Sequence, residues 1–178
     1  MTIHQPGLTP IPGVTIREAR PDEWTAAGDV VARAYVVAGV HAEDEYLAHV
    51  RDAADRARTC RIFVALDAGE AILGSVTYVP GPESPYAESE RDGDAGIRML
   101  GVDPDARGRG VGSGLVQACI DQARDDHRNA LVLVTTGLFR DAVRIYRRLG
   151  FQRIRERDIT VESGLVLRAY ELRLREAS

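Results

Sequence analysis

Glycines stand at positions 108, 110, 112 and 114, between an apolar run that ends at Val102 and a helical pattern that begins near residue 110. That arrangement asks for a strand, a tight turn and a helix start in direct succession. The first N–H groups of a helix lack intrahelical acceptors and carry the positive end of its dipole, so such a turn suits an anion. With no Cβ, Gly108, Gly110 and Gly112 let the backbone approach the ligand closely. Arg107 and Arg109 add charge at the rim, and Val111 and Ser113 complete a backbone cradle over residues 107–113. A tight turn alone would also use glycines; the flanking arginines favour the cradle. Two other phosphate motifs fail. A P-loop needs Gly-Lys-Ser/Thr, and the chain has no Lys. A dinucleotide fingerprint needs a third glycine where Ser113 or Leu115 stands.

The pattern around the turn predicts a mixed α/β single domain. Residues 14–18 alternate and read as a strand. A helix follows from Asp22, with Ala26, Val30, Ala34 and Val37 recurring at helical spacing. A second helix is expected over 44–58, with Leu47, Val50 and Ala54 on one face. Residues 61–66 and 71–79 read as a hairpin around Asp67-Ala68-Gly69. Residues 80–93, rich in Pro, Gly and acids, read as a mobile surface loop. Then come a strand over 95–102, a helix over 110–124, an apolar strand over 130–135, a helix over 141–149 and two closing strands over 151–158 and 166–174. Residues 1–13 read as a loose leader and 14–178 as the domain.

Composition bounds the function. The formal net charge of -4 disfavours general nucleic-acid binding. Two cysteines, Cys60 and Cys119, are too few for a disulfide framework, and no zinc-ligand spacing occurs, so no metal is expected. Without a membrane-length apolar run or a signal-peptide core, the chain is expected to be cytoplasmic.

The segment Arg107-Gly108-Arg109-Gly110-Val111-Gly112 resembles the Arg/Gln-x-x-Gly-x-Gly/Ala motif of the GCN5-related N-acetyltransferases (GNAT). Met99-Leu100-Gly101-Val102-Asp103-Pro104 resembles the strand that precedes it in that family. Ala142-Val143-Arg144-Ile145-Tyr146-Arg147-Arg148-Leu149-Gly150-Phe151 resembles the second signature, a helix ending in Gly-Phe. The resemblance implies a GNAT-like mixed sheet flanked by about four helices, with a splayed pair of central strands. It implies acetyl-CoA as co-substrate, its pyrophosphate on residues 107–113. Leu100, Gly101 and Val102 would lie at a bulge whose backbone holds the pantetheine arm, with Gly101 easing the bulge. Tyr146 would protonate the departing thiolate.

Two positions depart from the family pattern. Phe139 stands where an Asn is frequent, and Gly96 where a Glu often relays a proton; Asp94, on the same strand face, is the nearest substitute. The acceptor is expected to be a small-molecule or peptide amine, met by Tyr35, His41 and Tyr46 among Glu43, Asp44 and Glu45. A homodimer through the final strands is the family analogy. The competing expectation is a regulatory module that binds acetyl-CoA and has lost turnover.

Overall fold

The computed structural model describes residues 10–41 and 43–174; residues 1–9 of the expected leader lie outside them. Strand β1 is Thr15–Glu18, β2 Arg61–Leu66, β3 Ile72–Val79, β4 Asp94–Val102 and β5 Ala130–Thr135. Short β6 (Gln152–Arg153) and β7 (Ile159–Thr160) accompany β8 (Val166–Arg173). The sheet order is β1-β2-β3-β4-β5-β8-β6, with β7 paired to β8. All pairs are antiparallel except β4 with β5.

Helix α1, Trp24–Ala38, packs on one face of the sheet. Its buried stripe is Ala27, Val30, Val31, Ala34 and Tyr35, whereas Ala26 and Val37 face solvent, so the stripe is rotated from the expected one. The single helix expected over 44–58 is two: α2, Glu45–Arg51, and α3, Ala53–Arg56. Asp44 and Asp52 explain the break, because each carboxylate accepts a backbone N–H and starts its own helix. After Asp52, Ala53 and Arg56 are buried, and Ala54 is exposed. Arg56 is only 1% exposed and stitches the helices to β3. It donates to Thr77 Oγ1 at 3.1 Å and to the His49 carbonyl at 2.9 Å.

Helix α4, Val111–Asp125, joins β4 to β5, and α5, Arg140–Arg148, packs along it. Both enter the larger core cluster with Ala95, Ile97, Leu131 and Leu133. The expected closing strand over 151–158 is interrupted. A 3-10 turn, Arg155–Arg157, separates β6 from β7, and Asp158 is pinned by Arg153 Nη1 at 2.6 Å.

β4 and β5 pair only at Asp94–Ala130, Ala95–Leu131 and Gly96–Val132, then diverge. Their C-terminal ends open a wedge where α4 and α5 begin. Such a splay at the carboxyl ends of parallel strands is the usual place for a ligand.

Candidate functional site

A cleft of about 740 Å³ fills that wedge. Leu100, Gly101 and Val102 of β4 line one side. Arg107, Gly108, Gly110, Val111, Gly112 and Ser113 line the end, Tyr35 of α1 the wall, and Phe139 and α5 the far side. Nine of the ten residues expected to hold the coenzyme therefore converge on one cavity; Arg109 does not line it. Among the described residues, no backbone N–H from 107 to 113 donates to a protein acceptor. Seven consecutive N–H groups leading into a helix start thus have no protein acceptor, an arrangement that suits an anion.

The four glycines divide into two pairs. Gly108 and Gly110 have φ of 77° and 83°, a region that side chains rarely adopt, and a Cβ there would meet almost nothing. Gly112 and Gly114 are small for packing. A Cβ on Gly112 would lie 2.7 Å from Ile145 Cδ1, and one on Gly114 would run into Ile16 Cδ1. Gly108 and Gly110 are thus glycine for their backbone conformation, and Gly112, which also lines the cleft, is glycine for its contact with α5 as well.

The expected bulge lies in β4, but Gly101 is not its hinge. Gly101 pairs with Ser75 and Arg98 with Thr77, so Met99 and Leu100 together oppose Val76. Met99 carries the left-handed backbone, φ 51°. Gly101 is required for a different reason: a Cβ there would lie 2.7 Å from Val31 Cα of α1. Met99 is held in this strained state by burial against α1 and α2.

Tyr146 is 5% exposed and packs its ring 5.5 Å from that of Phe151. Burial raises its phenol well above the usual range, Cys119 adds to this and Arg98 opposes it. It is not among the residues that line the cleft. Phe139 leads into α5 and lies 4.6 Å from the Tyr35 ring.

Sequence reasoning missed two groups. Arg140, Arg144 and Arg148 line the cleft from one face of α5. Their spacing of four residues was a readable signal. Arg148 Nη2 donates to Ser113 Oγ at 2.9 Å and ties α5 to the cradle. The second group had no local signal. Loop 80–93 is not merely a surface loop, because Glu90 folds inward with a wholly buried side chain. Its carboxylate occupies the space that a Cβ on Gly96 would need. Arg98 Nη2 donates to both oxygens at 2.7 and 2.9 Å, and the Glu88 and Ser89 N–H groups also donate to it. Asp94, the expected substitute base, is locked instead: Arg157 donates to it at 2.6 Å and the Arg91 N–H at 2.9 Å.

The model of the Acetyltransferase (GNAT) family matches residues 18–151. A mycothiol acetyltransferase of Cellulomonas flavigena is 34% identical over 167 residues, 86% of this chain and 45% of the relative. N-acetyltransferase 8 of Rattus norvegicus is 30% identical over 104 residues, 58% of this chain and 45% of the relative. The chain thus spans about half the length of these curated relatives. A GNAT acetyltransferase structure from Staphylococcus aureus Mu50 superposes with a TM-score of 0.72 at 15% identity, covering 91% of this chain and 99% of that one. The YncA structure from Salmonella typhimurium, solved with its cofactor acetyl-CoA, gives 0.63 at 20% identity, covering 93% and 96%. The chain belongs to the Acetyltransferase (GNAT) family.

Proposed function

We propose that the protein is an acetyl-CoA-dependent N-acetyltransferase that passes the acetyl group directly to an amine in the cytoplasm. The observation that carries this reading is the continuous cleft from the β4 bulge to the free N–H groups of residues 107–113. Its donor set fits the coenzyme: unpaired amides and left-handed glycines for a pyrophosphate, and Arg107, Arg140, Arg144 and Arg148 for further negative charge. When bound, acetyl-CoA supplies an activated acetyl thioester.

This chain's residues would do the rest. The bulge at Met99 and Leu100 interrupts the ladder to β3, and the splay removes β5 as a partner. Backbone groups of Leu100 and Val102 on the edge facing β5 would then hold the pantetheine arm and polarise the thioester carbonyl, while Gly101 stays paired with Ser75 of β3. Tyr146 stays protonated at neutral pH, because burial raises its phenol, and so holds a proton for the departing sulfur.

Thiol release, measured with acetyl-CoA and a panel of amines, tests the reading. The expected result is amine-dependent release. A specific observation favours a second reading, a coenzyme-binding module without turnover: Gly96 offers no carboxylate and Asp94 is locked by Arg157. That reading predicts acetyl-CoA binding with no release from any amine.

A further inference from the structure

An ammonium has no lone pair until a proton leaves, so an amine acceptor needs a base near the thioester. Three carboxylates lie by the end of β4 that precedes the bulge. Asp94 is tied to Arg157. Glu90 spends both oxygens on Arg98 and on two backbone N–H groups. Glu88 is the third, and it is different. Its side chain is 38% exposed, and its one ion-pair contact among the described residues is Oε2 at 3.5 Å from Arg98 Nε.

A row of rings runs from the cleft to Tyr86, in the loop that carries this carboxylate. Phe139 and Tyr35 line the cleft with ring centroids 4.6 Å apart. Tyr46 follows at 6.4 Å from Tyr35, His49 at 6.1 Å from Tyr46, and Tyr86 at 5.5 Å from His49. Tyr46 is 46% exposed among the described residues, unusual for a large ring. Tyr86 donates its hydroxyl to Asp55. Arg98 is neutralised by Glu90, and Arg56 is buried and spent on Thr77 and the His49 carbonyl, so the exposed Glu88 carboxylate favours a cation and opposes a free carboxylate. Exposed ring faces attract both cations and flat groups.

We propose that the acceptor is a ring-bearing primary amine, with no carboxylate beside its nitrogen, that lies on this aromatic wall and gives its proton to Glu88. The proposal rests on the acetyltransferase reading. The ammonium loses one N–H proton to Glu88, the freed lone pair forms the nitrogen–acyl bond, and the carbon–sulfur bond breaks. The thiolate takes the Tyr146 proton, the second proton lost from nitrogen restores the Tyr146 phenol, and Glu88 passes its proton to solvent, so one proton is released per turnover. Glu88 is suited to accept that proton, because desolvation raises its carboxyl above the usual range and Glu90 adds to this, while Arg98 and His49 oppose it. Tyr46 of α2 and Tyr35 of α1 also lie within its electrostatic reach.

The test uses the full chain, 2-phenylethylamine, phenylalanine and hexylamine. Calorimetry on protein loaded with CoA reads the wall without turnover. Saturable binding of 2-phenylethylamine, weakened about tenfold in Tyr46→Ala, is the expected result. No binding, or equal binding by that variant, overturns the wall whether or not the protein is an enzyme. Among turnover rates, 2-phenylethylamine should exceed both phenylalanine and hexylamine by about tenfold in kcat/KM. In Glu88→Gln, kcat should fall about 100-fold and the acidic limb of the pH profile should vanish, with acetyl-CoA affinity unchanged. Turnover by Glu88→Gln within about twofold of the parent, with the same pH profile, overturns the role of Glu88. Thiol release from no amine at all, alongside intact 2-phenylethylamine binding, overturns the acetyltransferase reading and leaves the wall standing.

Discussion

Gly101 and Gly110 must both be glycine, for opposite reasons. Gly110 needs its left-handed backbone and has room for a side chain, whereas Gly101 has no room because α1 lies against it. Gly101→Ala should therefore push α1 off β4 and destabilise the fold by about 1–3 kcal/mol, read as a lower urea midpoint. Tyr146→Phe keeps the packing against Phe151 and removes the proton. If Tyr146 serves the thiolate, kcat should fall by at least about tenfold while acetyl-CoA affinity holds. A parallel loss of affinity would assign the ring to structure. At this scale the sequence was legible where chemistry is local. The left-handed turn at Gly108 and Gly110 and its charged rim were readable because backbone freedom and charge are properties of the residue itself. Met99 was not legible, since a non-glycine residue adopts φ 51° only when its surroundings impose it. Glu90 was hidden for the same reason: its partner Arg98 lies in the next strand and not beside it in sequence.

Among the elements, α1 is fixed at its start by a charged clasp. Arg17 of β1 grips Glu23 at 2.7 and 2.8 Å, and the Arg20 N–H adds a third contact. Arg17 above all, then the Arg20 N–H, lowers the Glu23 carboxyl to about 2 against an opposing desolvation. A carboxyl lowered on folding stabilises above its unfolded value and loses that contribution as pH falls. Glu23→Gln should cost about 2 kcal/mol at neutral pH, and the difference from the parent should shrink between pH 4.5 and 2 in urea titrations. On α5, Arg144 stands at the middle of an arginine row that faces the cleft. Arg144→Gln should weaken acetyl-CoA binding about fivefold at low salt and less at high salt, because the exposed charge is screened. That row was readable from a four-residue spacing, whereas the break between α2 and α3 was masked by continuous apolar periodicity across Asp52.

For the whole molecule, strand and helix order was legible because buried strands and amphipathic helices have different periods. The sheet's splay was not, since it depends on how far β4 and β5 stay paired; it follows from three rungs of pairing and a bulge beyond them. Those two features place the cleft between both helical layers, so a ligand there touches α1, β4, α4 and α5 together. Binding should therefore stabilise the chain as a unit. Acetyl-CoA at 100 times its dissociation constant should add about 2.7 kcal/mol, raising Tm by roughly 5–10 °C. Calorimetric titration with acetyl-CoA, run on the parent chain and on Gly110→Val, bears most directly on the cradle. One site per chain, weakened at least about tenfold in the variant, is the predicted result. A parent chain that does not bind, or a variant that binds equally well, would contradict it.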